Sequence, residues 1–144
     1  MHEFSVLDSP LAGTNLIEAS AGTGKTYTIS MVYLRLIVEN GLAVESILVV
    51  TFTIPATAEL RTRIRQCVKK GLDYLEHRIA TDDEIMMIID RNRERPGLRE
   101  RLHSTLRSFD QASVFTIHSF CQQVLADNAF ESGSPFRWEI STHE

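Results

Sequence analysis

Cysteine is scarce in this chain of 144 residues: Cys67 and Cys121 are the two, and they lie far apart. That number and spacing exclude a disulfide framework and fit no zinc-binding pattern, so reduced thiols in a cytoplasmic protein are expected. Each is flanked by apolar residues at helical spacing and reads as a core residue. No apolar run approaches membrane-spanning length, and Met1-His2-Glu3-Phe4 is not a basic segment leading into an apolar one. Neither a membrane span nor a signal peptide is expected. Internal repeats and low-complexity tracts are missing as well. Excess positive charge is also lacking: the formal net charge is −4, so any basic surface for nucleic acid has to be local. What is present, 43% apolar and 24% charged residues, is the composition of one globular domain.

The most informative stretch is Ala19-Ser20-Ala21-Gly22-Thr23-Gly24-Lys25-Thr26. It fits the phosphate-binding loop pattern G-x-x-x-x-G-K-[ST], with Ala19 at the position of the first Gly. Gly22 and Gly24 let backbone N–H groups turn inward on a phosphate, Lys25 reaches the β- and γ-phosphates, and the Thr26 hydroxyl is placed to ligate Mg²⁺. The helix that starts there adds the positive end of its dipole. An ordinary glycine turn into a helix does not call for Lys and Thr directly after its second Gly. A nucleoside triphosphate with Mg²⁺ is therefore the expected ligand.

Around this loop the chain reads as an α/β protein. Ser9-Pro10 and Ala12-Gly13 are turn signals in a lead-in, and a first strand is expected at about Asn15 to Glu18. Leu7 to Leu11 would touch adenine in many P-loop ATPases; a plain surface loop is the favoured reading. Ile29, Val32, Tyr33, Leu36 and Ile37 recur at helical spacing, with Asn40-Gly41 as the stop. Ile47-Leu48-Val49-Val50 has the unbroken apolar, β-branched character of a strand covered on both faces, which completes a βαβ unit. Thr51-Phe52-Thr53 ends that strand, with Thr53 as helix cap and Pro55 in the first turn. Capping accounts for Thr53 and gives no reason for Phe52, so a base-stacking role stands beside it.

Arg61, Arg63, Arg65, Lys69 and Lys70 form a local basic stretch on a helix whose apolar face is Ile64, Val68, Leu72 and Leu75. A solvated helix side explains most of that charge. Thr81-Asp82-Asp83-Glu84 resembles a capping box opening a second helix. Ile85 to Asp90 imitates the apolar strand plus Asp of a second ATPase motif, but the cap and the flanking charge favour a helix. Pro96-Gly97 breaks the chain, and Leu98, Leu102, Leu106 and Phe109 continue at helical spacing to Asp110. A helical insertion over about 56–110 therefore separates the strands. Ala112-Ser113-Val114-Phe115-Thr116 returns to strand character, and Ile117-His118-Ser119-Phe120-Cys121 enters a helix. His118 with Cys121 lacks the second half of a metal or nucleophile site, so His118 reads as a hydrogen-bonding or capping residue. A last strand is expected around Trp138 to Ile140.

Three blocks in order, Glu18 to Thr26, Val50 to Thr53 with Ala56 to Arg61, and Val114 to Gln122, resemble the amino-terminal part of UvrD-type superfamily 1 DNA helicases. The form of the first block and Asn128 to Gly133 resemble the branch of that family that serves exodeoxyribonuclease V. The resemblance implies a RecA-like parallel sheet: residues 1–55 as the P-loop half of motor domain 1A, 56–110 as a 1B-like insertion, and 111–144 as an incomplete return to the sheet. It implies that Ala19 to Thr26 bind ATP and Mg²⁺, with Lys25 and Thr26 catalytic and Thr26 on the metal. Thr51, Phe52, Thr53, Thr116, His118 and Ser119 would line the single-stranded DNA track. The implied partners are single-stranded and duplex DNA and other exodeoxyribonuclease V subunits, RecC- and RecD-like, with no membrane. The implied activity is ATP-driven 3′-to-5′ unwinding in the repair of double-strand breaks.

Ile54-Pro55 departs from the polar or small pair usual in the family. An Asp-Glu pair for Mg²⁺, the arginines for γ-phosphate charge and a second RecA-like domain are not found after Cys121. The chain is accordingly expected to be part of a motor that does not turn over ATP on its own, with an open sheet edge prone to self-association. Two other readings stand beside it. A small phosphotransferase would use Arg91, Arg93, Arg95, Arg99 and Arg101 as a lid, and a non-catalytic module would dock on DNA or a partner.

Overall fold

The computed structural model describes residues 4–20, 22 and 24–129. Ala21 and Thr23 of the glycine loop, the segment from Phe130, and the strand expected at Trp138 to Ile140 lie outside the described residues. Five helices and two strands make up the rest: α1 (Lys25–Val38), β1 (Leu48–Thr51), α2 (Ile54–His77), α3 (Asp83–Asn92), α4 (Leu98–Arg107), β2 (Ser113–Thr116) and α5 (Ile117–Asp127). The strands pair in parallel, with Leu48 opposite Ser113 and Thr51 opposite Thr116. A parallel pair needs a long crossover, and here three helices supply it.

Helix α1 ends where the sequence places its stop. Gly41 takes φ +69°, and the Leu42 N–H donates to the Leu36 carbonyl in the geometry that closes a helix on glycine. Its inner face buries Met31, Leu34, Ile37 and Val38 against Ile64, Cys67, Val68 and Leu72 of α2 and Ile85, Ile88 and Ile89 of α3. Each such aliphatic side chain contributes about 1.5–3 kcal/mol on burial. Arg35, also buried, secures the lead-in: Nη1 donates to the carbonyls of Val6 and Ser9, while Nε and Nη2 pair with Glu39. Ile85 to Asp90 is helical, as the cap and charge suggested.

Four expectations need correction. No strand forms at Asn15 to Glu18, and among the described residues the sheet has two strands. A strand exists through its partner, and none adjoins this segment; Asn15 instead donates to the carbonyls of Pro10 and Ala12, and Leu16 is 85% exposed. The strand, helix and strand predicted as a βαβ unit are therefore not a paired unit among the described residues. Thr81 does not open a capping box, because α3 starts at Asp83 with Asp82 at its cap and no side-chain cap bond. The Asp82 carboxylate is held instead by Lys70 at 2.9 Å and Thr81 at 3.3 Å, and the hydrogen bond from Lys70 does most to lower its pKa.

The fourth correction is Cys121, which is exposed, because α5 buries no residue of its own. Cys67 is buried, and burial pushes its thiol up to about 12. A raised thiol pKa leaves almost no thiolate at neutral or mildly alkaline pH, and the thiolate is the reactive form. A disulfide-exchange reagent at about pH 8 should therefore label one thiol rapidly in the native chain, and Cys121→Ser should abolish that phase. Cys67 should react only once denaturant is added. Fast labelling of the native Cys121→Ser variant would contradict the packing of α1 on α2.

Candidate functional site

The glycine loop leads straight into α1. Gly22 and Gly24 have φ +81° and +85°, the left-handed region that a side chain makes costly, so both glycines are required by the backbone. Gly24 occupies the cap position of α1 and offers no side-chain cap, and no acidic residue stands in the first turn. Gly24 itself offers the leading N–H groups of α1 no side-chain acceptor, the arrangement in which a helix start receives an anion. Lys25 is exposed and makes no ion pair among the described residues. The Thr26 carbonyl accepts from the Ser30 hydroxyl at 2.8 Å, closing the first turn beneath the loop.

These features fit a nucleoside triphosphate: two glycines with positive φ, a helix start whose cap residue is Gly24, and a Lys with no ion pair among the described residues. For a metal the fit is narrower. No group of three or more His, Cys, Asp or Glu residues that would hold an ion occurs among the described residues. Mg²⁺ at phosphate sites takes most of its ligands from phosphate and water, so the single Thr26 hydroxyl is compatible with it. Beside the loop, the lead-in and α1 enclose a groove of ≈ 490 Å³ lined by Pro10, Leu11, Asn15, Ile17, Val32 and Leu36 among others. Leu7 packs against the core, and Leu11 lines the groove.

The second group lies at the carboxyl ends of the strands, where open α/β sheets gather ligands. The register sets Thr51 directly against Thr116, so both threonine-bearing blocks share one rim. Most hydroxyls there serve the fold. Thr53 caps α2, its Oγ1 accepting from the Ala56 N–H at 3.2 Å, and Thr51 Oγ1 shares a hydrogen with Thr57 Oγ1 at 2.5 Å. Thr116 caps α5 in the same way, accepting from the Ser119 N–H at 3.1 Å and donating to Ser119 Oγ at 2.8 Å. His118, expected as a hydrogen-bonding or capping residue, does neither among the described residues, since Thr116 already occupies the cap. The groups that face outward include Phe52, 90% exposed, Ile54, 77% exposed, His118 and Ser119.

Sequence reasoning missed how α2 is tied to the rim. Arg61, counted there in the basic stretch, extends Nη2 to the carbonyls of Ala112 and Val114 at 3.1 and 3.3 Å. Its place one helical turn before the buried Ile64 was the available signal. Lys69 and Lys70 pair with Asp73 and Asp82, and Arg63 approaches Glu59. The five arginines of the hypothetical lid are occupied far from the glycine loop. Arg91 pairs with Asp8, Arg93 with Asp90 and Arg99 with Glu76, while Arg95 and Arg101 donate to carbonyls at the end of α1.

The cap at Thr53 gives a first test of the rim. Thr53→Ala should destabilise the chain by about 1 kcal/mol in urea unfolding, the ordinary loss of an N-cap. Thr53→Ser should recover most of it. Equal stability of all three would show that α2 starts without help from this side chain.

Comparison with known proteins matches residues 4–144 to the UvrD/REP helicase N-terminal domain. The RecBCD enzyme subunit RecB of Escherichia coli K12 is 44% identical over 144 residues, covering 94% of this chain and 12% of that protein. The RecB subunit of Haemophilus influenzae is 40% identical over 91% of this chain and 12% of its own length. That of Mycobacterium tuberculosis is 33% identical over 78% of this chain and 10% of its own length. The chain thus spans about 12% of the length of the first relatives it matches.

Proposed function

This chain belongs to the UvrD/REP helicase family, and we propose from that premise that it forms the ATP-binding part of a DNA helicase motor of the RecBCD type. The observation that carries the reading is the glycine loop: two positive-φ glycines, the second at the cap of a helix that begins Lys25-Thr26. Ser20, Gly22 and Gly24, with the neighbouring Ala19, Ala21 and Thr23, cradle the phosphates in this proposal. Lys25 stabilises charge on the β- and γ-phosphates, and the Thr26 hydroxyl ligates Mg²⁺. ATP, once bound, supplies the phosphoanhydride whose hydrolysis drives movement.

The fold is proposed as one part of a RecA-like sheet of domain 1A, with residues 56–110 as its helical insertion. The larger protein would be a cytoplasmic ATP-dependent helicase within an exodeoxyribonuclease V complex, alongside RecC- and RecD-like subunits. It would unwind DNA 3′ to 5′ for double-strand break repair and recombination. Hydrolysis also requires an Asp-Glu pair and arginines outside this chain's motifs, so these residues bind nucleotide without steady turnover. A phosphotransferase lid receives no support, because its five arginines are engaged elsewhere. No described helix is long and apolar enough to cross a membrane.

Titration of the chain with a fluorescent ATP analogue in Mg²⁺ tests the first site. Saturable binding should weaken at least ~10-fold in Lys25→Ala, the loss of a charge-assisted contact. Equal affinity in the two proteins would sink the ATP reading.

We propose the rim as part of a single-stranded DNA track made by Thr51, Phe52, Thr53, Thr116, His118 and Ser119. The β1–α2 turn has little for a phosphate, since Pro55 lacks an N–H and the Ala56 N–H is taken by Thr53. Its outward groups are Phe52 and Ile54, which suit bases. Phe52→Ala should weaken oligothymidylate binding by ~1–3 kcal/mol while leaving the slope of affinity against salt almost unchanged. An unaltered affinity would remove Phe52 from the track.

A further inference from the structure

The start of α1 has no side-chain cap from Gly24, yet it carries both residues that the nucleotide reading depends on. Its first turn is held from outside instead. The phenol of Tyr27, next in sequence to Thr26, donates to Glu84 Oε2 at 2.8 Å, joining α1 to the first turn of α3 across 57 positions of sequence. Glu84 sits where the dipole of α3 favours a negative charge. The Lys70–Asp82 pair at 2.9 Å clamps the same end of α3 to α2. One turn further along α1, the Cys67 thiol of α2 donates to the Ser30 carbonyl at 3.6 Å. The turn bearing Lys25 and Thr26 is therefore braced by both neighbouring helices.

We infer that Tyr27 is a positioning residue for the phosphate loop, with the Glu84 carboxylate as its anchor. Side chains on a helix step round by about 100° per residue, so Tyr27 leaves α1 about 200° from Lys25, on the side away from the phosphates. It acts through the backbone. Fixing the rotation of the first turn fixes the directions in which Lys25 and Thr26 leave it, and a preorganised site binds its ligand without first ordering itself. Partial burial, then the bond to Glu84, raises the phenol pKa, so Tyr27 keeps its proton and remains a donor over the working pH range. This role rests on the nucleotide reading above.

The test uses the full chain and the fluorescent ATP analogue with Mg²⁺. Tyr27→Phe keeps the ring and removes the donor, Glu84→Ala removes the acceptor, and Glu84→Gln keeps an acceptor oxygen at the same reach. The two deletions should each raise Kd about 5- to 10-fold, the value of an ordinary hydrogen bond, and the double variant should lose no more than either alone. Glu84→Gln should stay within about 2-fold of the unmutated chain, because the acceptor survives. Tyr74→Phe removes a similar phenol–carboxylate bond, to Asp90 at 2.8 Å, between α2 and α3, and should leave Kd unaltered.

Unchanged Kd in Tyr27→Phe, additive losses in the double variant, or an equal loss in Tyr74→Phe would each overturn the inference. Thermal midpoints measured in parallel separate positioning from stability, since a purely structural bond lowers the midpoint without altering Kd. Should the unmutated chain bind no nucleotide, or bind it equally in Lys25→Ala, the nucleotide reading falls and this role with it. Nucleotide binding that needs Lys25 but ignores Tyr27 removes this role alone.

Discussion

A parallel pairing of four residues per strand decides where everything on the rim lies. So short a pair has little hold of its own, and a parallel ladder is slightly weaker per residue than an antiparallel one. Helix α2 supplies the difference. It starts two residues after β1, packs along α1, and sends Arg61 to the carbonyls of Ala112 and Val114 at the start of β2. One charged group thus grips the second strand from the helix that follows the first. With that grip the register places Thr51 beside Thr116, and the two capped helix starts become neighbours.

The same economy of groups explains why threonine recurs at the rim. A strand that turns directly into a helix leaves the first N–H groups of the helix without partners, and a threonine at the junction answers one of them from its own side chain. Thr53 and Thr116 both do so. Their hydroxyls are consequently committed, and outward chemistry passes to the residues beside them, Phe52, Ile54 and His118. At the glycine loop the opposite solution appears. Gly24 gives α1 no side-chain cap, and the turn is braced from α2 and α3 instead.

How much of this was legible in the sequence follows from the range of each interaction. Periodicity located α1 and α2, because each buries one face and repeats it, and apolar runs located β1 and β2; β1 was expected to be covered on both faces, yet its Leu48 and Val50 are 47% and 40% exposed. Gly41, Thr53 and Pro55 located ends, because caps and turns act within a few residues. Asn15 to Glu18 went wrong for the complementary reason: its apolar residues have strand character, but pairing depends on a neighbour that local pattern does not contain. Thr81-Asp82-Asp83-Glu84 failed through competition: the Thr81 hydroxyl donates to Asp82, which Lys70 also holds, and Tyr27 takes Glu84, the carboxylate a capping box would use. Cys121 failed because the apolar residues near it, Ile117, Val124 and Leu125, are exposed on α5 themselves. Arg61, Arg35 and Tyr27 act over distances of 26 to 57 positions, and no spacing rule reports such bonds.

The exposed apolar residues fall into separate groups. Leu48 and Val50 project from one face of β1, Ile117, Val124 and Leu125 from α5, and Leu16 and Ile17 from the segment before the glycine loop. A parallel sheet is ordinarily covered on both faces, and α2 covers one face of this one while α5 reaches the other through β2 more than β1. Pairing adds strands at the edge of a sheet and packing covers its faces, so the exposed face of β1 and the unpaired segment Asn15 to Glu18 are two separate open features among the described residues. The glycine loop is held in place at its helix end by α2 and α3, through the Tyr27–Glu84 and Cys67–Ser30 hydrogen bonds.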